Sequence, residues 1–509
     1  MAERSGAIAL STLTSYLRFM VSVLIMFFLV PFIIGNLGEE DYGLWALVFS
    51  ILGLIELLDL GFATAVVKFV AECKGAQNPQ QRNRIVSTLS IVYLLLASIA
   101  AVIIGFISFS FDWMFSVPED SYAKAQLLLW ILGGRLILFV LPFGIFRSVL
   151  FGEQRISELN IAQLIATIVY GVSAYIILVN GGTIVDLALV NLACMVLEYF
   201  MYIVLAWKLV EEFRISWALA DWDILKNVFS FSSAQFLTNI SGLILLRTDL
   251  ILIKFYMSFA AVAIYAVALN ITTQLHLLVK QFINVFISYI AELQGRGDRE
   301  KIRWLLVTGT RVALVPAVIL SISIYVYGYS AVHFWVGPNF DQAALLLYML
   351  ITAMLFGVPQ MVASGILSMT GSHVFASRVT ALSALANIVL SLVLLPYYGL
   401  IGVAMGTVLS RICIDLVITA TRALKEFDIR LFYYIREGVL PTIYPGLAQF
   451  VFLFFVIEVM PPKHLLDIIL HCSLGGILYL GVYIRFFIRK EEKTKALNKF
   501  AFLRHIIKS

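Results

Sequence analysis

Apolar residues run along this chain in long unbroken blocks separated by short polar segments. A helix that crosses a bilayer needs about 20 such residues, each advancing it about 1.5 Å. The blocks predict fourteen spans, at 11–34, 43–70, 85–109, 124–150, 157–179, 184–209, 228–256, 260–291, 303–328, 341–369, 374–396, 399–424, 437–459 and 464–488. A membrane β-barrel would alternate apolar and polar positions, and these blocks do not. The expected class is an all-α polytopic membrane protein. The first apolar run, from Phe19 to Ile34, is too long for a secretion signal and lacks a small-residue cleavage site. It reads as the first span.

The polar segments sort by charge. Lys68, Lys74, Arg82 and Arg84 mark the connection from span 2 to span 3, and Arg147 and Arg155 that from span 4 to span 5. Arg296, Arg299, Lys301 and Arg303 mark the connection from span 8 to span 9. Arg422, Lys425, Arg430 and Arg436 follow span 12, and the tail from Arg485 to Lys508 is basic as well. The alternate connections, such as Glu39-Glu40-Asp41 and the stretch from Asp112 to Asp120, hold few cations; Lys124, Lys254 and Lys463 are the ones near that side. Lysine and arginine are retained on the cytoplasmic side, so both termini are expected there, which requires an even number of spans. Twelve spans would meet the same parity but leave 437–488 unexplained.

Ala71-Glu72 and Ala291-Glu292 lie 220 residues apart, as do Val117-Pro118 and Gly337-Pro338. Gly152 and Gly371 are 219 apart, and Pro142 and Pro359 are 217 apart. Several pairs at a nearly constant offset predict an internal duplication. Each unit holds six spans, so both share one orientation, related by an axis along the membrane normal around a central cavity. Glu212-Phe213-Arg214-Ile215 and Glu426-Phe427-Asp428-Ile429 follow the two units 214 residues apart. The first continues through Trp217 and Trp222 and is expected to form an interfacial amphipathic helix. The expected organisation is a six-helix bundle at 1–210, a linker at 211–227, a second bundle at 228–425 and a linker at 426–436. Two additional spans at 437–488 and a basic tail at 489–509 complete it.

Composition narrows the class further. Of 509 residues, 61% are hydrophobic and 13% charged, against about a quarter charged in soluble domains. The mean hydropathy is +0.96. These values exclude a soluble enzyme, a secreted disulfide scaffold and a disordered chain. Cys73, Cys194, Cys413 and Cys472 are scattered singly, so neither a disulfide framework nor a zinc site is predicted. His276, His333, His373, His464, His471 and His505 show no metal-ligand spacing. No GxxxxGK[ST] loop is present, so the chain is not expected to hydrolyse ATP. No cofactor, metal or nucleic acid is implied. Two glycosylation sequons, Asn239-Ile-Ser241 and Asn270-Ile-Thr272, fall inside spans and carry no such meaning.

An ionisable side chain costs about 2.5–3.5 kcal/mol at the centre of a membrane helix, so those present should face a wet or protein-lined interior. Span 1 places Ser11, Ser15, Arg18 and Ser22 on one face, and span 2 carries Glu56 and Asp59 one turn apart. Span 7 carries Arg247 and Asp249, with Gln235, Thr238 and Asn239 upstream. Span 8 carries Asn270, Gln274, Gln281, Asn284 and Ser288, flanked by Thr273 and Lys280. Spans 1, 2, 7 and 8 are equivalent pairs under the repeat and are expected to line the cavity. Milder stripes on span 5 (Asn160, Gln163, Thr167, Tyr170) and span 11 (Ser377, Thr380, Asn387, Ser391) read as helix-to-helix glue. Arg135, Glu198, Arg311 and the Arg411/Asp415 pair also lie within spans. Lys254 and Arg147, near span ends, are expected to snorkel to the headgroups. Pro142 and Pro359 would interrupt equivalent helices and serve gating or packing.

With these features in place, the sequence resembles the polysaccharide transporter family, the O-antigen and capsule-type flippases of the multidrug/oligosaccharidyl-lipid/polysaccharide exporter superfamily. The resemblance spans nearly the whole chain. Its clearest points are Leu37-Gly38-Glu39-Glu40-Asp41-Tyr42-Gly43, Asp59-Leu60-Gly61, and the loop from Ala71-Glu72 to Arg84. It implies a flippase that moves an undecaprenyl-diphosphate-linked oligosaccharide from the cytoplasmic to the periplasmic leaflet of a bacterial inner membrane. No covalent bond would change, so the chain would not be an enzyme. A cationic cavity is implied, with Arg18, Arg247 and Lys280 for the phosphates and Gln274, Gln281 and Asn284 for sugar hydroxyls. Glu56, Asp59 and Asp249 depart from a purely cationic lining and would balance charge or bind a coupling Na⁺ or proton. Spans 1 and 8 would form the lateral portal, and spans 13 and 14 a groove for the lipid tail. A glycan polymerase or glycosyltransferases of the same pathway are the implied partners.

Two other functions compete. An ion-coupled multidrug exporter of the same superfamily would use the carboxylates. A membrane glycosyltransferase or glycan-assembly scaffold would need a larger external loop than this chain has.

Overall fold

The computed structural model describes residues 2–226, 228–229 and 247–487. Every long element among them is a helix, and twelve are long and apolar enough to cross a membrane. The first of these, Leu10–Asp59, holds two spans. Its helix breaks at Gly38, whose φ of 85° and ψ of 173° lie outside helical geometry. Dividing it there gives thirteen of the fourteen expected spans among the described residues, and of span 7 only 228–229 and 247–256 are described. Gln235, Thr238 and Asn239 of span 7 lie outside the described residues, as does the tail beyond residue 487.

Helix faces follow packing. On span 3, observed as Pro79–Phe115, the side chains of Leu89, Tyr93, Ala100, Ile104 and Phe111 are buried. Leu95, Val102, Phe106, Phe109 and Trp113 on the opposite face are exposed. Both faces are apolar because one meets protein and the other meets lipid.

The chain divides into two compact units: Met1–Val267 with Thr380–Gly406, and Ala268–Val379 with Thr407–Ser509. In the first, span 1 packs on span 5, where the Asn160 amide donates to Ser15 Oγ at 2.8 Å and Thr14 Oγ1 at 3.2 Å. The span 5 stripe is therefore interhelical glue. The first unit also contains the end of span 7 and the start of span 8. Lys254 is buried there rather than snorkelling. Its ammonium donates to the Phe115 carbonyl at 2.8 Å and lies 4.4 Å from the Phe259 ring centroid. The orphan carbonyls at the end of span 3 attract a cation more strongly than the short route to water does. In the second unit, spans 9, 10, 12, 13 and 14 share one apolar core that includes Leu306, Ala317, Val358, Ile366 and Tyr479.

The duplication has the same turn geometry in both copies. Gln77 (φ 53°) and Gly297 (φ 69°) are both left-handed and lie 220 residues apart. The next residues, Asn78 and Asp298, close the turn onto the carbonyls of Cys73 and Leu293, at 2.9 and 3.0 Å. Each then caps a helix with its side chain, accepting from Gln81 N at 2.9 Å and Lys301 N at 3.2 Å. A further left-handed pair, Gln154 (φ 59°) and Gly371 (φ 97°), is 217 apart. That geometry matches Gly371 to Gln154 rather than to Gly152, at the same offset as Pro142 and Pro359.

The copies differ where helices are interrupted. Span 2 is broken: a 3₁₀ turn at Glu56–Asp59 is followed by left-handed Leu60 and Gly61, then by a helix at Phe62–Gly75. Its counterpart, span 8, runs as one helix over Phe259–Gly295. Span 4 widens into a π turn at Leu136–Val140 just ahead of Pro142, because proline donates no hydrogen bond to the preceding turn. Pro359 instead sits within the continuous helix Gln342–Met369.

The segment after span 6 is not the regular interfacial helix its tryptophans suggest. It is a strap with one short 3₁₀ turn, Trp217–Leu219, followed by helical residues 222–226. Polar contacts fasten it to span 3. Arg82 donates to the Glu211 carbonyl at 2.6 Å, Asn83 to the Glu212 carbonyl at 2.6 Å, and Arg84 pairs with Asp221 at 2.6 Å. Backbone groups satisfied by these side chains have no need of helical bonds.

Candidate functional site

The break in span 2 gathers polar groups at membrane depth within the first unit. Irregular backbone in a bilayer persists only where protein or water satisfies its polar groups. Asp59 supplies that here. Its carboxylate accepts from Ala63 N at 3.2 and 3.3 Å, which caps the helix that follows, and from the Tyr93 hydroxyl at 2.6 Å. Glu56, one turn earlier, has no such commitment. It stands 4.0 Å from the Arg135 guanidinium and keeps 42% of its side chain accessible. The two carboxylates expected to act together thus differ: Asp59 holds the break and Glu56 is available.

Different stability effects follow. Asp59→Ala strands the buried Tyr93 hydroxyl and an N-terminal amide, at an expected cost of about 2–3 kcal/mol. Glu56→Gln should stay within about 0.5 kcal/mol, as an accessible group does. Thermal unfolding of the two variants in detergent checks this; equal losses would remove the distinction.

Arg135, Arg147 and Arg247 neighbour Glu56 at the break, and Arg18 lies in the same unit. Arg18 of span 1 is half-buried, and its Nη1 donates to Gln163 Oε1 at 2.8 Å. Its Nε is buried without a partner. Arg135 of span 4, only 8% exposed, donates to Asn191 Oδ1 at 3.0 Å and lies 5.2 Å from the Phe49 ring centroid. Arg247 of span 7 packs against Gly53, where an added Cβ would come within 2.9 Å of its Nε. It is also an electrostatic neighbour of Glu56. Arg147, expected to snorkel, is an electrostatic neighbour of Arg18, Glu56, Tyr199 and Tyr202. Its side chain is exposed.

The structure therefore brings Arg18, Glu56, Asp59 and Arg247 into the same unit. Asp249 is buried there too, accepting from the Tyr265 hydroxyl at 2.7 Å. The span 8 candidates belong to the second unit. Gln274 is half-buried, Lys280 and Gln281 are exposed, and the Asn284 side chain lies outside those described. Lys280 and Arg411 are electrostatic neighbours of His276. Arg135, Glu198 and Arg147 were visible as charges in apolar runs, but their partners were not.

Guanidiniums, tyrosines, amides and one open carboxylate can hold an anion and hydroxyl groups side by side. Among the described residues, no group of three or more His, Cys, Asp or Glu could hold a metal ion.

Residues 5–294 match the family described as polysaccharide biosynthesis protein. A curated relative from Haloferax volcanii, described as a probable low-salt glycan biosynthesis flippase, is 20% identical over 385 residues, covering 75% of this chain and 76% of its own. A putative O-antigen transporter of Shigella flexneri is 19% identical over 382 residues, covering 74% of this chain and 88% of its own. Among solved structures, the lipid II flippase MurJ in an inward closed conformation superposes with a TM-score of 0.71 at 16% identity, covering 94% of this chain and 100% of its own. An inward-facing multidrug resistance MATE transporter gives 0.70 at 15% identity, covering 81% and 98%.

Proposed function

The chain belongs to the polysaccharide biosynthesis protein family, and on that footing we propose that it flips a lipid-linked oligosaccharide across a bacterial inner membrane. The cargo is an undecaprenyl-diphosphate-linked glycan, carried from the cytoplasmic to the periplasmic leaflet by alternating access for surface polysaccharide biosynthesis. Both termini lie in the cytoplasm, as the basic connections require.

The observation that carries this proposal is the set of guanidiniums inside the first unit, Arg18, Arg135, Arg147 and Arg247, beside hydroxyl and amide groups. A diphosphate cannot enter hydrocarbon without losing its hydration. Arginine replaces that hydration with charge-assisted, geometrically matched hydrogen bonds. Sugar hydroxyls need only polar partners, which Gln163 and Asn191 offer. The polyprenyl tail stays in lipid throughout.

Purified protein in proteoliposomes should move a labelled lipid-linked oligosaccharide to the opposite leaflet. Folded protein that moves none would overturn the proposal. The accessible Glu56 favours one second reading, export of cationic compounds coupled to Na⁺ or a proton. Efflux of such compounds from the same vesicles, without glycan transfer, would select it.

A further inference from the structure

Lys254 is a cation that the proposed cargo site leaves unused. It sits at the end of span 7, on the side where the connections hold few cations. Only 6% of it is exposed, and its Nζ donates to the Phe115 carbonyl at 2.8 Å and to the Met257 carbonyl at 3.5 Å. The ammonium also lies 4.4 Å from the Phe259 ring centroid. The next residue, Phe255, stacks its ring on that of Phe115, with centroids 4.9 Å apart. Phe115 is buried and ends the helix of span 3, because Ser116 turns left-handed at φ 46°. Its carbonyl is one of the acceptors that a helix end leaves over. Phe115 thus meets span 7 twice, through its carbonyl and through its ring.

These contacts join different copies of the duplication. Phe115 lies in the first copy, and Lys254, Phe255 and Phe259 lie in the second. The first compact unit takes in the outer turns of the second copy, through 247–267 and 380–406. Another polar tie on that side, from Lys124 to Asp41 at 2.8 Å, stays within the first copy and must move with it. Lys254 forms no ion pair among the described residues; the Glu40 carboxylate acts on it from beyond ion-pair distance. An ammonium held by carbonyls and a ring face is held less firmly than one facing a carboxylate, and it regains hydration when the contact opens. Such a tie suits a joint that both closes and releases.

We propose that Lys254, together with Phe255, latches the outer ends of the two copies through Phe115, and that this latch must release before cargo leaves on the outer side. The inference rests on the flippase function and the alternating access proposed above. It makes Lys254 a positioning residue, which touches no cargo and sets how much of the protein is closed to the outside.

The test reads the distance between spin labels on Trp113→Cys and Tyr256→Cys, two exposed positions beside the latch, with Cys73, Cys194, Cys413 and Cys472 replaced by serine. In nanodiscs, the chain with Lys254 and Phe255 intact should give mostly the short distance. Lys254→Met takes the donor away and leaves the Phe115 carbonyl buried. It should raise the ratio of long to short distances about tenfold, the fold-change of one hydrogen bond to a charged group. Phe255→Ala removes the ring stack and should raise the ratio about threefold. Lys254→Arg keeps a cation and its donors, so its ratio should stay near that of the parent. An unchanged ratio in both Lys254→Met and Phe255→Ala, with folded protein, overturns the latch. In proteoliposomes, a cleavable bifunctional thiol reagent joining the same two cysteines should stop transfer of a labelled lipid-linked oligosaccharide, and cleaving it should restore transfer. Transfer that continues across the clamp overturns the latch as well. A native protein that moves no glycan, while the distances shift as expected, overturns the flippase function and leaves the latch standing.

Discussion

Arg18→Ala is expected to reduce transfer of a lipid-linked glycan about a hundredfold, because charge-assisted hydrogen bonds contribute about 1.5–3 kcal/mol each. Arg18 is only half-buried and has a buried Nε without a partner. A donor left over in this way can be met by a cargo oxygen. Arg18→Lys keeps the charge but loses the planar fork that matches phosphate, so it should recover only part of the rate. The fold should tolerate both changes. Span 1 remains tied to span 5 by Asn160, and Gly171 admits Ile25 of span 1 so closely that an added Cβ would lie 2.9 Å from it. Transfer in proteoliposomes, with thermal unfolding as the control for folding, checks the prediction. Native-like transfer by Arg18→Ala would remove Arg18 from the cargo site.

Gly43→Val should be the most damaging single change to the fold of the first unit. A Cβ at position 43 would lie 1.9 Å from the Phe259 carbonyl oxygen and 2.6 Å from its carbon. Both partners are helix backbone, so neither can rotate aside. Overpacking of this kind costs about 3 kcal/mol. The variant should therefore unfold several degrees earlier in detergent and lose transfer. Gly38 in the same motif has a different requirement. Nothing lies within 4 Å of its would-be Cβ, but its φ is 85°. Gly38→Ala should cost about 1–2 kcal/mol through backbone strain alone. If Gly43→Val unfolds with the native midpoint, the close contact with Phe259 does not hold the unit together.

Much of the fold was legible because a span is a property of one continuous stretch. Burying a helix in lipid depends on its own length and hydropathy, not on its neighbours. The duplication was legible for a related reason. The turns at Gln77 and Gly297, and the caps Asn78 and Asp298, are local devices that keep their spacing when a unit is copied.

The site was less legible. Asp59-Leu60-Gly61 stood out in the sequence, yet the apolar run continues through it and predicts an unbroken helix. The break depends on the hydroxyl of Tyr93, a residue of another span. Glu56 and Asp59 look equivalent in sequence, and only their contacts separate an open carboxylate from a cap. Arg147 and Lys254 both sit near span ends, where snorkelling is the default. Packing seated Lys254 on the carbonyl of Phe115 instead, whereas Arg147 is exposed.

The sequence alone determined a bundle of membrane helices, their approximate ends, their duplication and the charges they carry inside. Tertiary structure decided which face of each helix turns inward, where span 2 breaks and which charges meet. The physical reason is that lipid and protein core are equally apolar. Hydropathy therefore places a helix in the membrane but cannot orient it, and orientation is set by close packing and by the few polar groups that find partners in other spans.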